Sequence, residues 1–254
     1  MTSSCGSQPS GFAYRLAWGS DGLAFLAPQC DVVVIVDVLR FSSAVSVAVE
    51  AGATIDPFPF GDPRAAEHAE RVGAAVAGHR SPGRPSLSPT DLLRVSRGER
   101  IVLPSPNGSA LAVEAAERSV PFVLAGCFRN AAATARRATM LAHDGTIGVL
   151  AAGERWHRVD GPLRPATEDL LGAGAVLQAL DPAGSVSAPC CDPGAAAARA
   201  AFLDARPRLR EVLEATESGR ELIDRGDGDD VVTSAQLDVT DLAAQLIDGS
   251  FVAV

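Results

Sequence analysis

The run Val32-Val-Val-Ile-Val36 contains no polar residue at all. A strand of that kind suits a parallel sheet covered by helices on both faces, because neither face meets water. It ends in Asp37 and then Arg40. Beyond it, apolar strand-like stretches alternate with alanine-rich helical ones. Phe41 to Ala51 reads as a helix closed by Gly52, Thr54 to Phe60 as a short strand, and Ala65 to Ala77 as a helix. Gly78 to Pro89, with its prolines and glycines, is a turn-rich connection. Glu99 to Leu103 is a strand, Ala110 to Arg118 a helix, Val120 to Ala125 a strand, Ala131 to His143 a helix and Thr146 to Ala152 a strand. A further helix runs from Thr167 to Leu180. The pattern predicts an α/β fold, three-layer α/β/α with a mostly parallel or mixed central sheet. It is read as one domain over residues 1–254, with residues 1–12 as a tail open to disorder.

Ligands of open α/β sheets gather beyond the carboxyl ends of the strands, which makes Asp37 and Arg40 candidates for chemistry; the plain alternative is a helix cap and a surface charge. The loops Pro104-Ser105-Pro106-Asn107-Gly108-Ser109 and Gly126-Cys127-Phe128-Arg129-Asn130 each join a strand to a helix. Glycine there lets the backbone approach an anion, and the helix N-terminus presents free N–H groups to it. Ser105, Asn107, Ser109 and Asn130 add side-chain donors, although such residues also form turns that bind nothing. Thr167-Glu168-Asp169 opens a helix, where threonine as N-cap and two acids would satisfy the helix dipole. Brought near Asp37, the same acids would offer Mg²⁺ the hard oxygen ligands it prefers.

Composition narrows the classes. All 22 basic residues are arginine, so a Walker A lysine, a Schiff-base lysine and a kinase strand lysine are excluded. A net charge of −9 argues against nucleic acid or an anionic membrane as partner. No apolar stretch is long enough to span a bilayer and no signal-peptide layout opens the chain, so cytoplasm is the expected compartment. Five cysteines make neither a disulfide framework nor a CxxC site. None of His68, His79, His143 and His157 has a zinc-ligand spacing to another.

DVLR after the first strand, SPNGSA, LAGCFRNA, AAGERW, ATEDLLGAG, SGRELI and QLDVTD occur in that order. Together they resemble the ComB-like family of 2-phosphosulfolactate phosphatases. The resemblance implies an α/β/α protein that hydrolyses a phosphomonoester with Mg²⁺, releasing 3-sulfolactate and phosphate on a route to coenzyme M. The family pattern falls on Asp37 and Arg40, Asn107 and Gly108, Gly126 and Asn130, Gly153, and Glu168 with Asp169. Departures stand at Phe41-Ser42-Ser43-Ala44 in place of a threonine-rich run, at Gly78-His79-Arg80 in place of Gly-Glu-Arg, and at Leu87-Ser88-Pro89 in place of Asn-Ser-Pro. Arg155 to Pro165 adds residues before the Glu168-Asp169 pair.

The expectation is therefore a Mg²⁺-dependent phosphatase of a small anionic phosphorylated substrate, working by metal-assisted water attack. Asp37, Arg40, Glu168 and Asp169 are the expected catalytic residues, with Asp37, Glu168 and Asp169 on the metal. Arg80, Ser105, Asn107, Gly108, Ser109, Gly126, Cys127, Asn130 and Gly153 are expected to bind substrate. A covalent route through Asp37 lacks the partner acid of haloacid-dehalogenase-type phosphatases, since Leu39 stands there. Cys127 is no tyrosine-phosphatase-type nucleophile, since Ala133 replaces the needed arginine. A non-catalytic binder of a small anionic metabolite is the alternative, and a homo-oligomer is left open.

Overall fold

In the computed structural model, residues 11–81, 83–156, 161–184 and 190–254 are described. The chain enters on β1 (Tyr14–Trp18) and α1 (Gly19–Leu26), then forms β2 (Val32–Val36), α2 (Phe41–Glu50), β3 (Thr54–Phe58), α3 (Pro63–Val72) and β4 (Ala75–Val76). After α4 (Pro89–Leu92) come β5 (Arg100–Pro104), α5 (Gly108–Glu117), β6 (Phe122–Ala125), a 3-10 turn at Phe128–Asn130, α6 (Ala131–Ala142) and β7 (Ile147–Ala151). A short ladder of β8 (Glu154–Arg155) and β9 (Leu163–Arg164) leads into α7 (Thr167–Leu180). The chain ends with α8 (Pro193–Ala205), α9 (Leu209–Ala215), α10 (Glu217–Asp224), α11 (Gly228–Ser234) and the strands β10 (Ala244–Ile247) and β11 (Ser250–Ala253).

The main sheet has the order β1-β7-β2-β6-β10-β11-β3-β5-β4. β1, β7, β2 and β6 are mutually parallel, as are β3, β5 and β4, and the antiparallel β10–β11 hairpin joins the two blocks. All five residues of β2 are buried. Val33 and Ile35 enter a core with Leu23 of α1, Val45 of α2 and Leu111 of α5, while Val32, Val34 and Val36 enter another with Ala138 of α6, Val176 of α7 and Phe202 of α8. The expected α/β/α layering is present, and the unbroken apolar run is explained by a strand that feeds two cores.

The differences from expectation are local. The helix expected over Ala65–Ala77 stops at Val72, because Gly73 caps it in a left-handed conformation and β4 follows. The sequence reading assigned no strand to the hairpin, yet its turn carries a legible signal. Asp248 and Gly249 both have positive φ (50° and 82°), the requirement of a type I′ turn and the reason Asp-Gly favours one. The N-terminal strand β1 begins only two residues beyond the expected tail; residues 1–10 of that tail lie outside the described residues.

The candidate active site at the carboxyl end of β2

β2 ends against the N-termini of two helices, and Asp37 joins them. Its Oδ1 accepts from Phe41 N of α2 at 3.2 Å and its Oδ2 from Gly108 N of α5 at 2.9 Å. Ser42 locks the turn: its hydroxyl accepts from Asp37 N and donates to Ile35 O. The approach at Gly108 leaves no room for a side chain, since a Cβ there would lie 2.1 Å from Phe41 Cδ1 and 2.8 Å from Asp37 Oδ2. The loop after β5 therefore reaches Asp37 although β5 belongs to the other parallel block.

α7 brings the second acid pair. Asp169 Oδ1 accepts from Val38 N at 2.8 Å and its Oδ2 from Gly153 N at 2.9 Å, so the side chain ties the loop after β2 to the loop after β7. This departs from the capping reading. The N-cap of α7 is Ala166, without a side-chain cap, and Thr167 is the first, exposed helical residue. Glu168 is 3% exposed, and no hydrogen bond or ion pair engages its carboxylate among the described residues. Glu154, which the sequence reading passed over, accepts from Asn107 Nδ2 at 3.1 Å. Its signal was a carboxylate directly after a strand-end glycine.

These acids act on one another. Burial raises the Asp37 carboxyl from the usual 3.8 to about 7, against the two backbone N–H groups that lower it, and the charges of Glu154 and Glu168 raise it further. Asp169 is raised well above the usual carboxylate value, first by burial and then by the charges of Asp37 and Glu168. No arginine or histidine forms an ion pair with any of the four acids among the described residues. Four carboxyl groups are thus gathered, three of them buried, with no basic side chain paired to them among the described residues, and their oxygens are the hard donors that Mg²⁺ takes. Among the described residues, no three His, Cys, Asp or Glu side chains are already arranged to close on one ion. Both oxygens of Asp37 and of Asp169 accept from backbone N–H groups, which leaves Glu168 as the buried carboxylate without a hydrogen-bond partner among the described residues.

The other expected residues divide. Arg40 donates from Nη1 to Asp230 at 2.7 Å and to Asp227 at 3.2 Å, and Arg80 donates from Nη1 to Asp227 at 2.7 Å. Asp227, Asp230 and the partners of Asp230, Ser88 and Thr90, were not foreseen, because α11 lies far from Arg40 in sequence. Asn107 and Gly108 are at the site by the contacts above, and Ser105 supports that loop by accepting from Asn107 N at 3.4 Å. Gly153 joins it through Asp169.

Ser109, Gly126, Cys127 and Asn130, expected to bind substrate, make contacts within the framework. Ser109 donates to Leu103 O at 2.6 Å and is fully buried. A Cβ on Gly126 would lie 2.7 Å from Val34 Cγ1, so this glycine permits strand–helix packing. Asn130, also fully buried, donates to Ala125 O at 3.1 Å and accepts from Cys127 N at 2.9 Å, which closes the 3-10 turn. The Cys127 thiol is buried and raised by that burial, in keeping with its reading as no nucleophile. His79 is exposed, His68 lies 3.8 Å from Asp56, and His157 lies outside the described residues. No helix among the described residues is long and apolar enough to cross a membrane.

Comparison with known proteins adds an independent finding. A family model described as 2-phosphosulpholactate phosphatase matches residues 26–249. No curated protein matches the chain.

Proposed function

The chain belongs to the 2-phosphosulpholactate phosphatase family and is a phosphoric monoester hydrolase; from that premise we propose that it hydrolyses 2-phosphosulpholactate or a closely related small phosphorylated acid by Mg²⁺-assisted attack of water. One observation carries the site assignment. Asp37 and the adjacent pair Glu168 and Asp169, more than 130 positions away in sequence, converge at the end of β2 with no basic side chain paired to them among the described residues.

Asp37, Glu168 and Asp169 would hold Mg²⁺, with Glu168 the carboxylate free to turn towards it. Such an ion, when bound, would supply neutralising charge for the phosphate and would make a water more acidic. In the reaction the water oxygen forms a bond to phosphorus as the bond from phosphorus to the ester oxygen breaks. One water proton passes to the carboxylate cluster and the other remains on the released phosphate. The leaving oxygen takes a proton back from the cluster and departs as the hydroxyl of the acid. Asp37, fixed by two backbone donors, is the group best held to take the first proton. Burial of all three acids keeps bulk water away and strengthens each electrostatic contact.

The test is a panel of small phosphorylated acids, including 2-phosphosulpholactate and phospholactate, assayed for phosphate release with Mg²⁺ and with chelator. Release that requires Mg²⁺ and favours a phosphorylated acid with a second anionic group is the expected result. Binding by calorimetry without release would leave a non-catalytic binder, and release indifferent to chelator would remove the metal.

A further inference from the structure

Glu154 is held unlike the other three acids at the end of β2. Asp37, Glu168 and Asp169 are buried, and both oxygens of Asp37 and of Asp169 accept from backbone N–H groups. Glu154 is only half-buried, on the short ladder strand β8. Its Oε1 accepts from Asn107 Nδ2 at 3.1 Å and from Arg155 N at 2.9 Å. Its Oε2 makes no hydrogen bond among the described residues. Two donors on one oxygen fix the plane of the carboxyl group and leave the other oxygen to meet a ligand.

Adjacent residues of one loop anchor two of the acids. Gly108 N reaches Asp37 Oδ2 at 2.9 Å, and the Asn107 side chain before it reaches Glu154. The two carboxyl groups therefore flank one short span, near enough for the charge of Glu154 to act on Asp37. Gly153, which precedes Glu154, donates from its N to Asp169 Oδ2 at 2.9 Å, so the backbone that carries Glu154 is tied to the same cluster.

The chemistry of an alkyl phosphomonoester asks for one more group than Asp37 supplies. An alcohol oxygen leaves phosphorus poorly as an alkoxide, and a positioned acid that protonates it as the bond breaks contributes about 10²–10⁴-fold. Such an acid touches the leaving oxygen on one side and regains its proton from solvent on the other. Among the four acids Glu154 is the one with a free oxygen and an exposed flank.

We propose that Glu154 is the general acid of the reaction, giving a proton from Oε2 to the ester oxygen of the leaving group while Asp37 takes one from the attacking water. This rests on the reading of the chain as a hydrolase of alkyl phosphomonoesters by attack of water. The bond from phosphorus to the ester oxygen breaks with its electron pair left on that oxygen, which takes the Glu154 proton and departs as a hydroxyl. The water oxygen forms the new bond to phosphorus, gives one proton to Asp37 and keeps the other. Solvent then returns a proton to Glu154 and removes one from Asp37, so ester and water become alcohol and phosphate with nothing left over.

The experiment compares kcat/KM of the native chain, Glu154→Gln and Asp37→Asn on two kinds of ester in the presence of Mg²⁺. One is phospholactate, whose leaving group is an alkyl hydroxyl; the others are acetyl phosphate and p-nitrophenyl phosphate, whose leaving groups depart without a proton. Glu154→Gln is expected to lose about 10²–10⁴-fold on phospholactate and less than about tenfold on the activated esters, whereas Asp37→Asn loses activity on both kinds. Glu154→Ala gives the same split should the glutamine variant fold poorly. Thermal shift supplies a second readout, since Glu154→Gln should keep the stabilisation that millimolar Mg²⁺ gives the native chain. Equal losses on the two kinds of ester, no loss on phospholactate, or a lost Mg²⁺ response would each overturn the assignment, the last by making Glu154 a metal ligand. Failure of the underlying reading looks different: the native chain itself would then release phosphate from no alkyl phosphomonoester, whereas a native chain that does so beside an indifferent Glu154→Gln removes the general acid alone.

Discussion

Asp37 is held by two backbone donors, and those bonds set what its substitution does. Asp37→Asn keeps the shape but turns an amide N–H₂ towards one of the two N–H groups, while removing a general base worth about 10²–10⁴-fold. Phosphate release is expected to fall by at least that much with the circular dichroism spectrum retained; unchanged release would remove Asp37 from the chemistry. Its pH behaviour has a definite sign. A carboxyl raised in the folded state from 3.8 to about 7 favours folding when protonated, so the metal-free protein loses this contribution as pH rises through about 7. Asp37→Asn does not titrate, and its stability relative to the native chain should improve across that window in urea melts. The two asparagines once expected to act alike now separate. Asn130→Ala strips Ala125 O and Cys127 N of buried partners at about 1–3 kcal/mol each, so its melting temperature should drop sharply. Asn107→Ala, half-buried beside Glu154, should raise KM with little change in melting.

At the scale of elements, α7 delivers the two adjacent acids into different roles. Asp169 stitches the loops after β2 and β7 with both oxygens, whereas the Glu168 carboxylate makes no hydrogen bond among the described residues. Glu168→Gln is therefore expected to leave the metal-free protein as stable or steadier, by relief of repulsion, and to lose most of its stabilisation by millimolar Mg²⁺. Asp169→Asn should melt lower even without Mg²⁺, since one of two backbone donors then faces an amide N–H₂. A full Mg²⁺ response in Glu168→Gln, read by thermal shift, would place the ion elsewhere. The sequence marked both residues correctly as a pair at a helix start. It offered no means of telling which one bonds outward, because Val38 and Gly153 reach Asp169 only through the sheet.

For the whole molecule, the β10–β11 hairpin is the part that makes one sheet of two parallel blocks. Phe251 of β11 is fully buried and meets Phe41 edge-on, with ring centroids 5.9 Å apart, so the hairpin leans on the residue that follows the active-site loop. Phe251→Ala is expected to cost about 3–5 kcal/mol in denaturant titrations and to lower activity along with stability. Full activity with that loss of stability would show that the site does not depend on the hairpin.

The sequence by itself determined the layered α/β architecture, since an apolar strand and alanine-rich helices have few other ways to bury their faces. It also determined that Asp37 ends the first of the long apolar strands and that Glu168 and Asp169 open a helix, because local composition sets where elements begin and end. Only the tertiary structure decided that β5 lies in a block of its own yet sends Gly108 to Asp37, that Asn130 and Ser109 serve the framework, and that Asp227 and Asp230 meet Arg40. Ser109 and Asn130 bond within six residues of themselves, but the other facts rest on contacts between residues about 70 to 190 positions apart. Such long-range contacts follow from strand order and pairing, which no local stretch of sequence specifies.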